Sequence, residues 1–470
     1  MNVINENVIQ TILSRDRDRE AAEAEAAAAA KAEEEDVSSI QIVDWRVDGM
    51  NEKSIISYAS ELSRLVVRYR YHYRCGGAKG AKKGGQDGDG AGAGAVSREK
   101  IFIIKDPTKA PLYAYVKNFG WYDNEVTMYD RVFPQMLQQL APELDHDEHS
   151  YEYEYFTPRQ YYFDDETQLL VLQDLSQSGY KCADRVQKLD LEHCIYAVRS
   201  LAKLHALSVK LETTVGLPES VKRNAIFSAD RASDLTAILA QGIATFTDCV
   251  PQHLKQLYPN VIADFTQLSA EKLIRANDDC WRNTRFRVLN HGDFNVNNIM
   301  YKYDESLGLV KNVKLIDFQL SHWNGPANDL LFFTITSMRF DVYRKHLASL
   351  LQIYSDTANK ILRRLGCPVS SYENVSVSRL LDDIDTLYPY ALYVLSCVLP
   401  FIMFDPQDPN ANPIDAKSLI KDDQIDFSDR KDALYRKSYQ ETMIRWLQHF
   451  AQKGTLRTDT DTDTDTDEEK

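Results

Sequence analysis

VLNHGDFNVNNIMYKY (288–303), followed after the turn DESLG by KNVKLIDFQL (311–320), interrupts an otherwise helical half of the chain. Its two apolar runs read as the strands of a hairpin, each beside a short polar segment, so a rigid scaffold aims the polar groups. Asp293 stands five residues before Asn298, and Asp317 opens the polar segment after the second strand. Phosphoryl transfer needs a carboxylate to orient the attacking hydroxyl and take its proton, and oxygen ligands to hold magnesium against a triphosphate. Order and spacing give the first task to Asp293 and the second to Asn298 and Asp317. Any one of the three alone reads as a turn cap, the commonest use of Asp and Asn. Together on one hairpin they read as a catalytic loop. His291 brings no obvious chemistry and is expected to hold the loop's backbone. Asp329, in GPANDLLFF (325–333), opens an apolar helical run and is either an N-cap or a buried brace for the loop.

Upstream, QLLVLQDL (168–175) is a continuous apolar run ending in a turn, the expected last strand of a smaller lobe. LEHCIYAVRSLAKLHALSVKL (191–211) then sets Ile195, Val198, Leu201, Ala202, His205 and Val209 on one helical face. In the smaller lobe Lys105 ends the strand-like IFIIKD (101–106), where it is either an exposed edge residue or an ion-pair partner facing a cleft. FGWYDNEVTMYDRVF (119–133) has helical spacing at Phe119, Tyr122, Val126 and Tyr129, and carries Glu125. A Lys105–Glu125 pair is expected to hold the lysine on the α and β phosphates of ATP. A phosphate-covering loop is weakly marked: VDGMNEKSIISYASEL (47–62) has Gly49 alone, with no G-x-G-x-x-G, and Tyr58, Ala59 and Ser60 stand in for glycines.

The chain has 470 residues, 44% of them hydrophobic, enough for two or three cores. A net charge of -15 repels phosphate backbones and argues against nucleic acid as a partner. The start carries acidic and polar residues where a secretory signal has basic and apolar ones. Tyr390–Phe404, the most apolar stretch, is interrupted by Pro400 and falls short of a bilayer span. No membrane role is expected, and seven scattered cysteines without C-x-x-C pairs suit a reduced, cytoplasmic setting. The organisation reads as a leader over 1–40, low in complexity and dominated by the Ala/Glu stretch Glu20–Asp36. After it come a smaller lobe over 41–173 with a Gly-rich hairpin insertion at 76–95, a helical lobe over 174–455, and a disordered Thr-Asp tail from 456.

With these residues in hand, the sequence resembles the ecdysteroid kinase-like family, a branch of the choline kinase and aminoglycoside phosphotransferase group. VLQDLSQSGY, LAKLHALS, VLNHGDFNVNNIMYKY and KLIDFQLSHWNGPANDLLFF carry the resemblance, which spans about Val43 to Gln452 by element order. It implies an α+β, bilobal protein-kinase-like fold: a small antiparallel-sheet lobe, and a larger helical lobe bearing the catalytic hairpin. It also implies adenine held near Gln173 to Leu175, and transfer of the ATP γ-phosphate, with magnesium, to a hydroxyl of an ecdysteroid or another lipophilic small molecule. By position, Lys105 and Glu125 resemble the phosphate-binding pair, Asp293 the base, and Asn298 and Asp317 the metal ligands. Asn295 stands where similar sequences usually carry tryptophan, and Asp317 is followed by Phe318-Gln319 rather than Phe-Gly.

A protein kinase would need an activation segment ending in an A-P-E-like motif. HWNGPANDLLFF follows Asp317 almost at once, so the expected acceptor is a small molecule. Choline or ethanolamine remains an alternative acceptor, since an acidic chain suits a cation; choline sites favour aromatic cages, and 26 tyrosines and five tryptophans cannot be sorted into pocket and surface from sequence, so composition does not decide. A non-catalytic nucleotide-binding scaffold is the alternative of another class. Against it, Asp293 and Asp317 in one site repel each other without metal or catalysis to justify them.

Overall fold

Along LSRLVVRYRYHY the residues Leu65, Val67, Tyr69 and Tyr71 point to one face, the period of a half-buried strand, and all four are buried. The computed structural model describes residues 4–27, 37–50, 60–73, 95–109, 113–144, 156–224, 226–368, 375–404, 420–421, 424–425 and 436–454. By packing, the chain divides into two units: Met1–Ala110 with Arg159–Gln177, and Pro111–Pro158 with Ser178–Lys470.

The first unit is an antiparallel sheet of five strands: β1 (Val37–Gly49), β2 (Glu61–Tyr73), β3 (Ala95–Asp106), β4 (Gln160–Asp164) and β5 (Leu169–Gln173), in the order β1-β2-β3-β5-β4. The segment 74–94, read as a hairpin insertion, lies outside the described residues, but the strands flanking it pair antiparallel, with Tyr71 opposite Val96. Lys105 is not an edge residue. It lies on β3, opposite Leu62 of β2 and Leu170 of β5, and is 7% exposed.

The sequence reading places 1–40 in a leader; its first turns belong instead to this core. In helix α1 (Glu6–Ala27) and the residue pair before it, Ile4, Val8, Ile9, Ile12 and Leu13 form an apolar stripe. That stripe packs with Leu65, Val67, Phe102, Ile104 and Val171 of the sheet. Arg15 donates to the carbonyl of Tyr161 at 2.9 Å, and buried Asp16 pairs with Lys100. The stripe precedes the Ala/Glu stretch, whose composition masks it. That stretch is helical through Ala27, and 28–36 lie outside the described residues, as do Tyr58, Ala59 and the Thr-Asp tail.

The second unit is mostly helical. Helices α2 (Tyr113–Phe119), α3 (Trp121–Thr127) and α4 (Phe133–Leu144), the last two joined by a π-turn at Met128–Val132, group with this unit rather than with the sheet. The reason is their apolar face: Tyr129 and Phe133 pack on Phe318, with ring centroids 5.9 and 4.6 Å apart. Helix α5 (Leu191–Thr214) starts at Asp190, whose carboxylate accepts from the His193 N–H at 3.1 Å. Strand β6 (Lys181–Cys182) joins the hairpin of β8 (Ile299–Tyr303) and β9 (Val310–Leu315). VLN is not part of that hairpin: it forms β7 (Val288–Asn290), paired antiparallel with β10 (His322–Asn324). The polar segments are therefore pinned at both ends by short strands.

The six described cysteines are free, and four of them are buried. No single helix among the described residues is long and apolar enough to cross a membrane.

Candidate active site

Gly292 sets the shape of the loop. Its φ is +82°, and a Cβ there would sit 1.9 Å from the carbonyl oxygen of Leu320, so a side chain is excluded both by conformation and by space. Asp329 holds the same turn from below. Its two carboxylate oxygens accept the backbone N–H of His291 at 2.6 Å and of Gly292 at 2.9 Å. His205 of α5 approaches the same carboxylate at 3.2 Å and bonds the Tyr354 hydroxyl through its other nitrogen at 2.7 Å. Of the two readings open for Asp329 the structure selects the brace, since its side chain caps no helix. Burial pushes the His205 pKa down against the pull of Asp329, whose own pKa is lowered by these bonds despite its burial.

His291 is fully buried. Its Nε2 faces the Ile316 carbonyl at 3.0 Å, its Nδ1 accepts from the Asp293 N–H at 3.3 Å, and its ring packs on Phe318. That pattern fits one neutral tautomer, and burial lowers the pKa accordingly. The imidazole positions the loop.

Asp293 presents a carboxylate gripped on both oxygens. Asn295 Nδ2 donates to Oδ1 at 2.7 Å, and Asn298 Nδ2 donates to Oδ2 at 2.8 Å. Asn298 Nδ2 also donates to the Asp293 carbonyl at 2.9 Å, and the Asn298 N–H bonds the Asn295 carbonyl at 2.9 Å to close a 3₁₀ turn at Val296–Asn298. Burial pushes the Asp293 carboxyl up to about 7, the charge of Asp317 pushes the same way, and the two amide bonds pull back. Asp317 itself adopts a left-handed backbone, φ 67°, at the end of β9. The Ile316 N–H bonds the Asn298 carbonyl at 3.0 Å, which ties the two polar segments together. Asp293, Asn298 and Asp317 are thus assembled within one unit.

Glu125 lies on α3 of the same unit, 2% exposed, next to Asn124. Asn124 donates to the carbonyls of Gln319 and Ser321 at 3.0 and 2.8 Å, so α3 is bound to the segment following Asp317. Lys105, Ser60, Gln173 and Leu175 belong to the sheet unit. Ser60 is buried just ahead of β2, Gln173 ends β5 opposite Phe102, and Leu175 is buried behind Asp174, which accepts from Arg64 at 3.0 Å.

Two contributors escape sequence reasoning: the clamp from Asn295, legible only as a departure from a tryptophan, and the tether from Asn124. A D-x-N-x-x-N spacing is the local signal for the first.

The ecdysteroid kinase-like family model matches residues 58–367. The chain belongs to this family. Among curated proteins no sequence is significantly similar. Similar solved structures include a choline kinase from Cryptosporidium parvum Iowa II, at 12% identity over 87% of this chain and 91% of that one, TM-score 0.42. A Plasmodium vivax ethanolamine kinase is 10% identical over 80% of each chain, TM-score 0.33. A spectinomycin phosphotransferase in complex with ADP and spectinomycin is 10% identical over 89% of this chain and 94% of its own, TM-score 0.33. The fold of this ecdysteroid kinase-like chain is α+β and protein-kinase-like, as the sequence implies.

Proposed function

We propose that this ecdysteroid kinase-like protein transfers the γ-phosphate of ATP to a hydroxyl of an ecdysteroid or another lipophilic small alcohol. The observation carrying the reading is the Asp293 carboxylate, fixed by two amides and poised near neutrality beside Asn298 and Asp317. A general base works best when its pKa lies close to the working pH. Asp293 orients the acceptor hydroxyl and takes its proton as the acceptor oxygen bonds to the γ-phosphorus; the bond from phosphorus to the β,γ-bridging oxygen breaks, and ADP departs with that electron pair.

Asn298 and Asp317 fit magnesium. With its Nδ2 turned toward Asp293, Asn298 keeps a carbonyl oxygen for a ligand, and Asp317 adds a carboxylate, both hard oxygen donors. Among the described residues no three His, Cys, Asp or Glu side chains cluster as a closed metal cage, and magnesium at such sites takes one or two protein oxygens with phosphates completing its shell. When bound, magnesium neutralises charge developing on the phosphate oxygens. Lys105, Glu125, Ser60, Gln173 and Leu175 are assigned to ATP by their order along the chain, and free cysteines fit a cytoplasmic setting.

The decisive experiment is magnesium-dependent transfer of labelled γ-phosphate from ATP to a panel of ecdysteroids, other hydroxylated lipophiles and choline. Transfer to an alcohol of the panel, abolished in Asp293→Asn, is expected. ATP binding without transfer to any alcohol would move the reading to a non-catalytic nucleotide-binding module.

A further inference from the structure

A helix interrupted by a π-turn lies against the catalytic loop. It runs Tyr388–Tyr393, passes through a π-turn at Val394–Val398 and ends in Leu399–Ile402, where the Ile402 carbonyl accepts from Asn297 Nδ2 at 3.4 Å. π-turns inside helices frequently mark functional positions. Here the turn follows two tyrosines three residues apart, Tyr390 and Tyr393, whose rings lie 6.2 Å apart and nearly parallel. Phe227, from the loop ahead of helix Ala232–Cys249, meets both edge to face at 5.3 and 5.5 Å. Phe332, on the helix Ala327–Thr336 that also carries Asp329, stacks on Tyr390 at 6.3 Å.

Both tyrosines are 8% exposed, yet no hydrogen bond links either phenol to another described residue. Their rings are buried, but neither hydroxyl oxygen is among the buried unpartnered polar atoms, so each opens onto accessible space and is free to bond a ligand. Burial holds both phenols protonated, above the ordinary tyrosine range, and the charge of Asp293 adds to the effect on each. The helix that carries both phenols touches the catalytic loop, through the Ile402 carbonyl bonded by Asn297 four residues after Asp293.

What they would recognise follows from what is already taken. Two carboxylates act on these phenols, Asp293 on both and Asp329 on Tyr390. Asp293 is engaged by Asn295 and Asn298, and Asp329 by His205 and two backbone N–H groups. Neither is left over to pair with a cationic acceptor. The rings stack and meet edge to face with one another, which is the packing of an apolar wall; a cage for a quaternary ammonium needs ring faces turned to a common point.

We infer that Phe227, Tyr390 and Tyr393 form the acceptor wall, and that the two phenols hydrogen-bond a hydroxyl other than the reacting one on an uncharged, rigid, apolar alcohol. The inference rests on the phosphotransferase reading above. It makes Tyr390 and Tyr393 determinants of specificity: they select an acceptor with a second hydroxyl at a distance from the first.

Tyr390→Phe and Tyr393→Phe test it without disturbing the packing, since each removes only a hydroxyl that no described residue uses. Binding of ecdysone (several hydroxyls), testosterone (one hydroxyl) and choline is measured by calorimetry, alongside acceptor and ATP kinetics. Each variant is expected to weaken ecdysone binding and raise its KM about fivefold, the loss of one neutral hydrogen bond, with the KM for ATP unchanged and testosterone less affected. The wall is overturned if ecdysone binding stays within roughly twofold in both variants, if choline binds more tightly than either steroid, or if neither steroid binds while ATP does. The two readings fail separately. Binding that weakens in the tyrosine variants with no transfer by the unaltered protein keeps the wall and removes the kinase reading; transfer with an unchanged acceptor KM removes the wall alone.

Discussion

Asn295 donates its side-chain amide to Asp293 Oδ1 at 2.7 Å, two residues away in the chain, on the opposite oxygen from the one Asn298 holds. A bond to the charged form fixes the rotamer of the base and favours its ionisation. Asn295→Ala is expected to lower kcat about 10- to 100-fold, the worth of one charge-assisted hydrogen bond of roughly 1.5–3 kcal/mol, with little change in the KM for ATP. Steady-state kinetics check this; an unchanged kcat would show that Asn298 alone suffices to hold the base.

The pH dependence follows from the same carboxylate. Burial, reinforced by Asp317, pushes the Asp293 carboxyl up to about 7, so the acid form accumulates as pH falls through that value. kcat/KM for MgATP reports the free enzyme. It is expected to be flat above about 7 and to fall tenfold per unit below it. In kcat the same limb shifts to lower pH, since a bound divalent cation nearby favours the carboxylate. Identical limbs in the two profiles would count against Asp293 as the titrating base.

Gly292→Ala probes the turn. The new Cβ meets the Leu320 carbonyl, and the positive φ penalises any side chain, so the loop and the segment after Asp317 cannot both keep their places. The expected loss is on the order of 3 kcal/mol or more in stability together with loss of transfer, read by denaturant unfolding and by the labelled-phosphate assay. Wild-type stability in this variant would mean that the loop relaxes freely.

The convergence of Asp293, Asn298 and Asp317 and the hairpin beneath them were legible because their geometry is local: five residues separate Asp293 from Asn298, and the β8–β9 hairpin brings the Asp317 segment back beside them. The brace was half legible. Asp329 could be singled out, but its bond to His291, 38 positions away, depends on how a helix docks and leaves no local spacing to read. The docking of α1 was hidden for a compositional reason, a five-residue apolar stripe followed by a long Ala/Glu run. Tyr390 and Tyr393 could not be picked from 26 tyrosines, because their neighbours Phe227, in a loop, and Phe332, in a helix, are both distant in the chain.

Lys188 offers a test of the helical unit that is independent of catalysis. It is buried, adopts a left-handed backbone, and donates Nζ to the Ile335 carbonyl at 2.9 Å; burial lowers its pKa to about 7. An unfolded lysine keeps its proton to about 10.4. Between about 7 and 10 the unfolded chain therefore binds one more proton than the folded chain at this site, and stability rises with pH through that window. Below about 7 both states are protonated, and the cost of the buried charge is fully present. The buried cysteines oppose this trend: burial raises Cys194 and pushes Cys280 and Cys397 up to about 12, so above the ordinary thiol range the folded chain holds protons that the unfolded chain loses. Comparison with Lys188→Met cancels that contribution. The variant is expected to be more stable than wild type at pH 6–7, and its advantage to shrink by at most about 1.4 kcal/mol per pH unit up to about pH 10. Urea unfolding of both proteins across that range measures the difference, and parallel curves would show that Lys188 stays charged in the fold.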